Sequence, residues 1–160
     1  MKKALVYYSM SGNCQYVAER IAGILDCDVI RIEPVKAYPD KGARKFYWGG
    51  KSAVMGEKPK LKKYEFNKDK YDCVILGFPV WASNVVPPIR TFISENDLSN
   101  KKIAAYACYS GGGAEKALMK LKKLLNRDEL SSEIVLIDPV KNDENENMEK
   151  IREFCASLEK

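Results

Sequence analysis

The chain has 160 residues, 46% hydrophobic and 31% charged, with a formal net charge of +5, which suits a single domain over 1–160 with an ordinary core. No apolar run reaches the roughly 20 residues of a membrane span, and Met1-Lys2-Lys3 precedes only a short apolar stretch, unlike a signal peptide. Histidine is absent, which excludes Ser-His-Asp and Cys-His catalysis and every His-metal motif.

The first predicted strand is Ala4-Leu5-Val6-Tyr7. It runs through Ser9-Met10-Ser11-Gly12-Asn13-Cys14 into a helix over Gln15 to Leu25, with Val17, Ile21, Ile24 and Leu25 on one stripe. A strand, a short hydroxyl- and Gly-containing loop and a helix N-terminus make an anion site, because the first helical N–H groups lack internal partners and carry the positive end of the dipole. Ser9, Ser11 and Asn13 add donors, and no Lys or Arg lies between Ser9 and Gln15. A phosphate held here meets neutral dipoles. An ordinary N-cap at a strand–helix turn has the same composition.

Cys27 to Glu33 reads as the second strand. The connection that follows, Lys36 to Lys70, carries 11 Lys or Arg against 4 Asp or Glu, so the positive charge is local to it. Aromatics are mixed in at Tyr38, Phe46, Tyr47, Trp48, Tyr64 and Phe66, and the pattern allows a helix over Lys41 to Met55 that Gly49-Gly50 weakens. Gly50-Lys51-Ser52 ends like a Walker loop, but Lys45 stands where its first glycine belongs.

Tyr71 to Pro79 is the third strand, with Cys73-Val74-Ile75-Leu76-Gly77-Phe78 apolar on both faces. The loop Pro79–Val86 follows, and Pro87-Pro88 opens a helix through Phe92 and Ile93. Ile103 to Cys108 is the fourth strand. Beyond Tyr109-Ser110-Gly111-Gly112-Gly113, Leu118, Leu121 and Leu125 mark a helix, with Ala114 and Ala117 beside them. Glu133 to Ile137 is the fifth strand. The acidic run Asp143 to Glu149 favours a helix N-terminus, and Met148, Ile151, Phe154 and Leu158 stripe that last helix. Five cysteines at positions 14, 27, 73, 108 and 155, with no C-x-x-C pair, predict free thiols in a reducing cytoplasm.

Alternating strands and helices of this kind predict an α/β fold, a doubly wound five-stranded parallel sheet. Its ligand edge is the carboxyl end of the strands, where three loops converge: Ser9–Cys14, Pro79–Val86 and Tyr109–Gly113. In the second, a flat heteroaromatic could stack on Trp81 while backbone groups of Ser83 and Asn84 meet its polar edge; the alternative is that Trp81 simply caps the core. In the third, bare glycines permit close backbone approach or simply a flexible turn.

These residues resemble the short-chain flavodoxins and flavodoxin-like FMN proteins over nearly the whole chain. Tyr7-Tyr8-Ser9-Met10-Ser11-Gly12-Asn13-Cys14 is similar to the phosphate loop S-x-T/S-G-N-T, and Tyr71 to Trp81 to the third strand of one subgroup. Tyr38-Pro39 and Lys58-Pro59-Lys60-Leu61 resemble features of that subgroup's connection, and Pro88 to Phe92 and Asp97 to Lys102 continue in register. The resemblance implies strand order 2-1-3-4-5 and non-covalent FMN. Ser9, Met10, Ser11, Gly12, Asn13 and Cys14 would wrap its phosphate. Pro79, Val80, Trp81, Ala82, Ser83 and Asn84 would border the isoalloxazine, and Ser110, Gly111, Gly112 and Gly113 would close its pyrimidine side. Electron transfer between redox partner proteins is the implied role, with an NAD(P)H-dependent quinone reductase or related oxidoreductase as the alternative. No G-x-G-x-x-G nicotinamide fingerprint follows any strand.

Three departures stand out. Cys14 replaces Thr at the end of the loop, giving a weaker donor and a thiol at a helix N-terminus whose pKa could be lowered. Ala82-Ser83 stands where many relatives have Trp-Gly, whose glycine lets a peptide turn over toward reduced flavin N5. The sequence pI near 8.8 contrasts with acidic electron carriers, and fits either a milder reductant or docking to acidic partners. Membrane binding is not expected. Nucleic-acid binding through the basic, aromatic connection is the remote alternative.

Overall fold

The computed structural model describes residues 1–39 and 42–160. Five strands form one parallel sheet: β1 (Lys3–Tyr7), β2 (Cys27–Arg31), β3 (Cys73–Pro79), β4 (Lys102–Tyr109) and β5 (Ser132–Ile137). Five helices connect them: α1 (Asn13–Ile24), α2 (Gly42–Val54), α3 (Pro87–Glu95), α4 (Ala114–Leu124) and α5 (Glu144–Ser157). The strand order is β2-β1-β3-β4-β5, so the winding reverses between β1 and β3, and that is where the loops after β1 and β3 part to leave a crevice. The doubly wound sheet and its order agree with the sequence reading.

Both faces of the sheet are covered, which is why β1, β3 and β4 are apolar apart from the lysines that open β1 and β4. One face packs Val6, Leu76 and Ala105 against Ile89 and Phe92 of α3 and Leu118 and Leu121 of α4. The other packs Leu5, Ile75 and Tyr106 against Val17 and Ile21 of α1 and Ile151 and Phe154 of α5. On this second face the fully buried Tyr106 ring leans from β4 across β3 at Gly77, where a Cβ would fall inside the ring. Its hydroxyl donates to the Cys14 carbonyl at 2.9 Å. A side chain on the fourth strand thereby ties down the first turn of α1.

Two expectations about the connection change. The helix α2 runs straight through Gly49-Gly50. The glycines cost helix propensity, but a Cβ on Gly49 would stand 3.1 Å from Cε3 of Trp81, so glycine is what lets α2 lie on that indole. The connection's charge is also partly cancelled from outside it: Lys62 pairs with Glu33, Lys68 with Asp97 and Lys70 with Asp28. All five cysteines are free, as read from their spacing.

Burial raises the pKa of Tyr8 and Tyr106 well above the ordinary phenol value and pushes Tyr64 up to about 12. A group whose pKa is raised by folding contributes stability that is whole below its unfolded value and is lost as pH climbs toward the folded one. The urea midpoint should therefore hold level to about pH 9 and fall steadily above about pH 10, the unfolded phenol value. A midpoint that stays level through that range would contradict this packing of the three phenols.

Candidate functional site

The carboxyl edge of the sheet carries a cavity of about 830 Å³, lined by Ser11 and Asn13, by Pro79 to Ser83 and by Ser110 to Gly113. All three predicted loops therefore meet around one space, of a size common for small-molecule cofactors (roughly 300–1,000 Å³). Gly50 of α2, Cys108 and Tyr109 of β4, and Asp138, Val140 and Lys141 beyond β5 complete the wall. Ser9, Met10, Gly12, Cys14 and Asn84 do not line it.

The first loop is built from the inside. Ser9 is buried, and its hydroxyl accepts from the Gln15 N–H at 3.3 Å, bracing the loop against α1. Gly12 caps the helix in the left-handed region at φ 93°, a conformation that glycine takes without penalty. Its carbonyl accepts from Tyr16 N–H at 2.9 Å. The N–H groups of the first helical turn are left without partners inside the helix. Arg31, at the end of β2, donates to the Ser9 carbonyl at 3.2 Å and to Gln15 Oε1 at 2.7 Å. A guanidinium thus holds the loop from behind, although no cation lies within it.

Cys14 departs from the sequence reading. Its side chain is 1% exposed and packs into the core below α1 rather than toward the cavity. Burial raises its pKa well above the usual thiol value, with Cys108 adding to the rise. The helix N-terminus does not lower it, because desolvation of a buried thiolate outweighs the dipole. The thiol is therefore not a donor to the cavity, and what the position offers a ligand is its backbone.

The second loop is a tight turn with both central residues left-handed, Ala82 at φ 49° and Ser83 at φ 57°. Asn84 N–H closes it onto the Trp81 carbonyl at 3.0 Å, the pattern of a type I′ turn. Such turns favour Asn-Gly; Ala and Ser here cost roughly 1–2 kcal/mol per residue. The left-handed positions are thus Ala82 and Ser83. Asn84 instead holds the turn from beneath: its Nδ2 donates to the Ala82 carbonyl at 2.6 Å, and Lys120 Nζ donates to its Oδ1 at 2.5 Å. Trp81 meets Tyr8 and Tyr38 edge-on, with centroids 5.7 and 5.2 Å away, and lies on Gly49. It caps the core and lines the cavity at once.

The third loop bends through Gly112 and Gly113, at φ 136° and 83°, and Gly113 caps α4. A Cβ on Gly113 would run into Ser83, so these two loops touch there. Ser110 donates to Asp138 Oδ1 at 2.6 Å, and Val140 N–H donates to Asn13 Oδ1 at 3.2 Å. The stretch after β5 therefore buttons the first loop to the third. Sequence reasoning missed Asp138 to Lys141, although a fifth parallel strand must end on the same edge as the others. Among the described lining residues Lys141 is the only cation and Asp138 the only carboxylate. No metal-binding cluster occurs among the described residues.

A doubly wound sheet with a crevice at its switch point, flanked by a loop that opens a helix on one side and an aromatic turn on the other, has the architecture of cofactor-binding α/β proteins. The flavodoxin family model matches residues 2–151, and the chain belongs to the flavodoxin family. A Lactobacillus acidophilus flavoprotein solved in complex with FMN is similar at 20% identity and TM-score 0.69, over 88% of this chain and 95% of that one. Two-electron reduced Megasphaera elsdenii flavodoxin is similar at 17% identity and TM-score 0.60, over 96% and 98%. A flavodoxin from the domain Archaea is similar at 18% identity and TM-score 0.57, over the full length of both chains. None of the curated proteins matches the sequence.

Proposed function

We propose that this protein is an FMN-binding flavodoxin-like electron carrier. The observation that carries the reading is the convergence of three separate loops on one cavity, each with the chemistry one part of FMN needs. At one end Ser11, Asn13 and the backbone N–H groups that open α1 suit a phosphate. At the other, Trp81 and the Ala82–Ser83 turn present an aromatic face and exposed backbone to a flat ring. Between them Gly111 and Gly112 leave open space where a Cβ would otherwise stand, so main chain is accessible to polar ring atoms. Family membership supports the same cofactor.

When bound, FMN supplies reversible one- and two-electron transfer; the chain supplies binding, orientation and tuning. Ser11, Asn13 and the α1 backbone would hold the phosphate. Trp81 and residues 110–113 would fix the ring. The strained turn, pinned by Asn84 and Lys120, holds its carbonyl and N–H groups in place before a ligand arrives, and Lys120 sets a positive charge beside it. Lys141 adds a second charge on the wall.

Spectroelectrochemical titration of the FMN-loaded protein distinguishes a carrier from a two-electron reductase. Two separated one-electron potentials are the expected result. A single two-electron wave, together with oxidation of NAD(P)H in the presence of a quinone, would replace the carrier with an oxidoreductase.

A further inference from the structure

A second concentration of positive charge, separate from the Lys36–Lys70 connection, lies on one face of α4. Lys116, Met119, Lys120 and Lys123 fall at i, i+3, i+4 and i+7, so they share a stripe. Met119 is 56% exposed at its centre, a large apolar side chain in a ring of ammonium groups. Arg90 of α3 joins them from across the groove between the helices, where its Nε donates to the Val85 carbonyl at 3.3 Å. Burial lowers the Lys120 pKa first, and the fields of Lys116, Arg90 and Lys123 lower it further, so each of these three cations lies near Lys120.

None of the four forms a salt bridge in the described structure, while Lys122 on the neighbouring side of the same helix pairs with Glu133. Glu115 is the only carboxylate in α4. Uncompensated like charges at close quarters cost stability unless something negative meets them. The stripe also adjoins the candidate site. Lys120 grips Asn84 beneath the Ala82–Ser83 turn, and α4 starts at Gly113 on the cavity wall.

We propose that the face formed by Arg90, Lys116, Lys120 and Lys123 around Met119 is the docking surface for an acidic protein partner, which it brings against the Trp81–Asn84 edge of the cavity. An apolar centre with a charged rim is the anatomy of a transient protein interface. A small anion such as a dinucleotide phosphate fits less well. The stripe spans two helical turns, and its cations line neither the site cavity nor the hollow beside β2 bounded by Asp28 to Arg31 and Lys63 to Asn67. The proposal deepens the electron-carrier reading by naming the partner's chemistry, but the surface exists whether or not FMN binds.

The test is an amide-shift titration of the protein, FMN-free and FMN-loaded, with a hexaglutamate peptide at low salt. Shifts should concentrate at Arg90 and residues 116–123 in both forms and collapse as salt is raised, since exposed charges are screened over about 10 Å at 0.1 M. Lys116→Gln combined with Lys123→Gln leaves the turn-bracing Lys120 in place and should weaken the peptide roughly five- to tenfold. Hexalysine should give no shifts there. Shifts centred elsewhere, or a double variant that binds the peptide as tightly as the parent, would overturn the proposal. So would inorganic phosphate binding the same face as tightly as the peptide, which would make it a small-anion site. Because the FMN-free form is included, failure of the docking face is separable from failure of the cofactor reading.

Discussion

Gly77→Ala should be among the most damaging single substitutions in the protein. A Cβ at this point of β3 would overlap the Tyr106 ring, and that ring has nowhere to go: it is fully buried and its hydroxyl is held by the Cys14 carbonyl. Relief requires either moving β4 away from β3 at the register pair Gly77–Tyr106 or breaking the tie to α1. Overpacking of a rigid site costs typically 1–3 kcal/mol, and the upper end, about 3 kcal/mol or more, is expected here. Urea denaturation of the variant measures it. The double variant Gly77→Ala with Tyr106→Leu should be less destabilised than the sum of its parts, because Leu vacates the space that the new methyl needs. Simple additivity would show that the ring is not what Gly77 accommodates.

The second large effect is expected at the cavity. In Gly113→Ala, the residue must keep φ 83°, and its Cβ would stand 2.9 Å from Ser83 Cβ and 3.1 Å from Ser83 Cα. Side-chain rotation cannot relieve a clash with a backbone atom, so the strained turn must move off the third loop. The left-handed backbone alone costs roughly 1–2 kcal/mol. Displacing the turn that would flank the isoalloxazine should weaken FMN by at least about tenfold, a loss of about 1.4 kcal/mol. Fluorescence titration with FMN reads the affinity directly. Adding Ser83→Gly, which removes the opposing Cβ and suits a left-handed turn position, should recover most of it. Undiminished FMN affinity in Gly113→Ala would mean that the contact between these loops does not shape the ring site.

The strand and helix order was legible because parallel strands covered on both faces leave uninterrupted apolar runs, as at Cys73–Phe78, and because the helices carry clear stripes. The three loops followed from that order, since parallel strands end on one edge. What stayed hidden depends on contacts far apart in sequence. Gly49 looked like a weak point in a helix until Trp81 was found against it. Cys14 looked like a phosphate-loop donor, but helix rotation at Asn13–Gln15 sends its side chain into the core. Ala82-Ser83 carries no turn signature, and only the grip of Asn84 and of Lys120, thirty-six positions downstream of Asn84, shows how a left-handed pair is sustained. Charge was the most misleading of all. The local excess at Lys36–Lys70 is partly neutralised by Glu33, Asp97 and Asp28, while a second group of cations without salt bridges among the described residues, Arg90, Lys116, Lys120 and Lys123, comes together from two helices.

Comparing FMN with riboflavin tests most directly whether the cavity is a phosphate-terminated flavin site. Titration of the FMN-free protein should quench flavin fluorescence with one FMN per chain and shift the amides of Ser11, Asn13, Trp81 and Gly112. Riboflavin, which lacks only the phosphate, should bind at least about a hundredfold more weakly, because the α1 N–H groups and the Ser11 loop would then have no anion to hold. Equal affinity for the two flavins, or no quenching by either, would contradict the account.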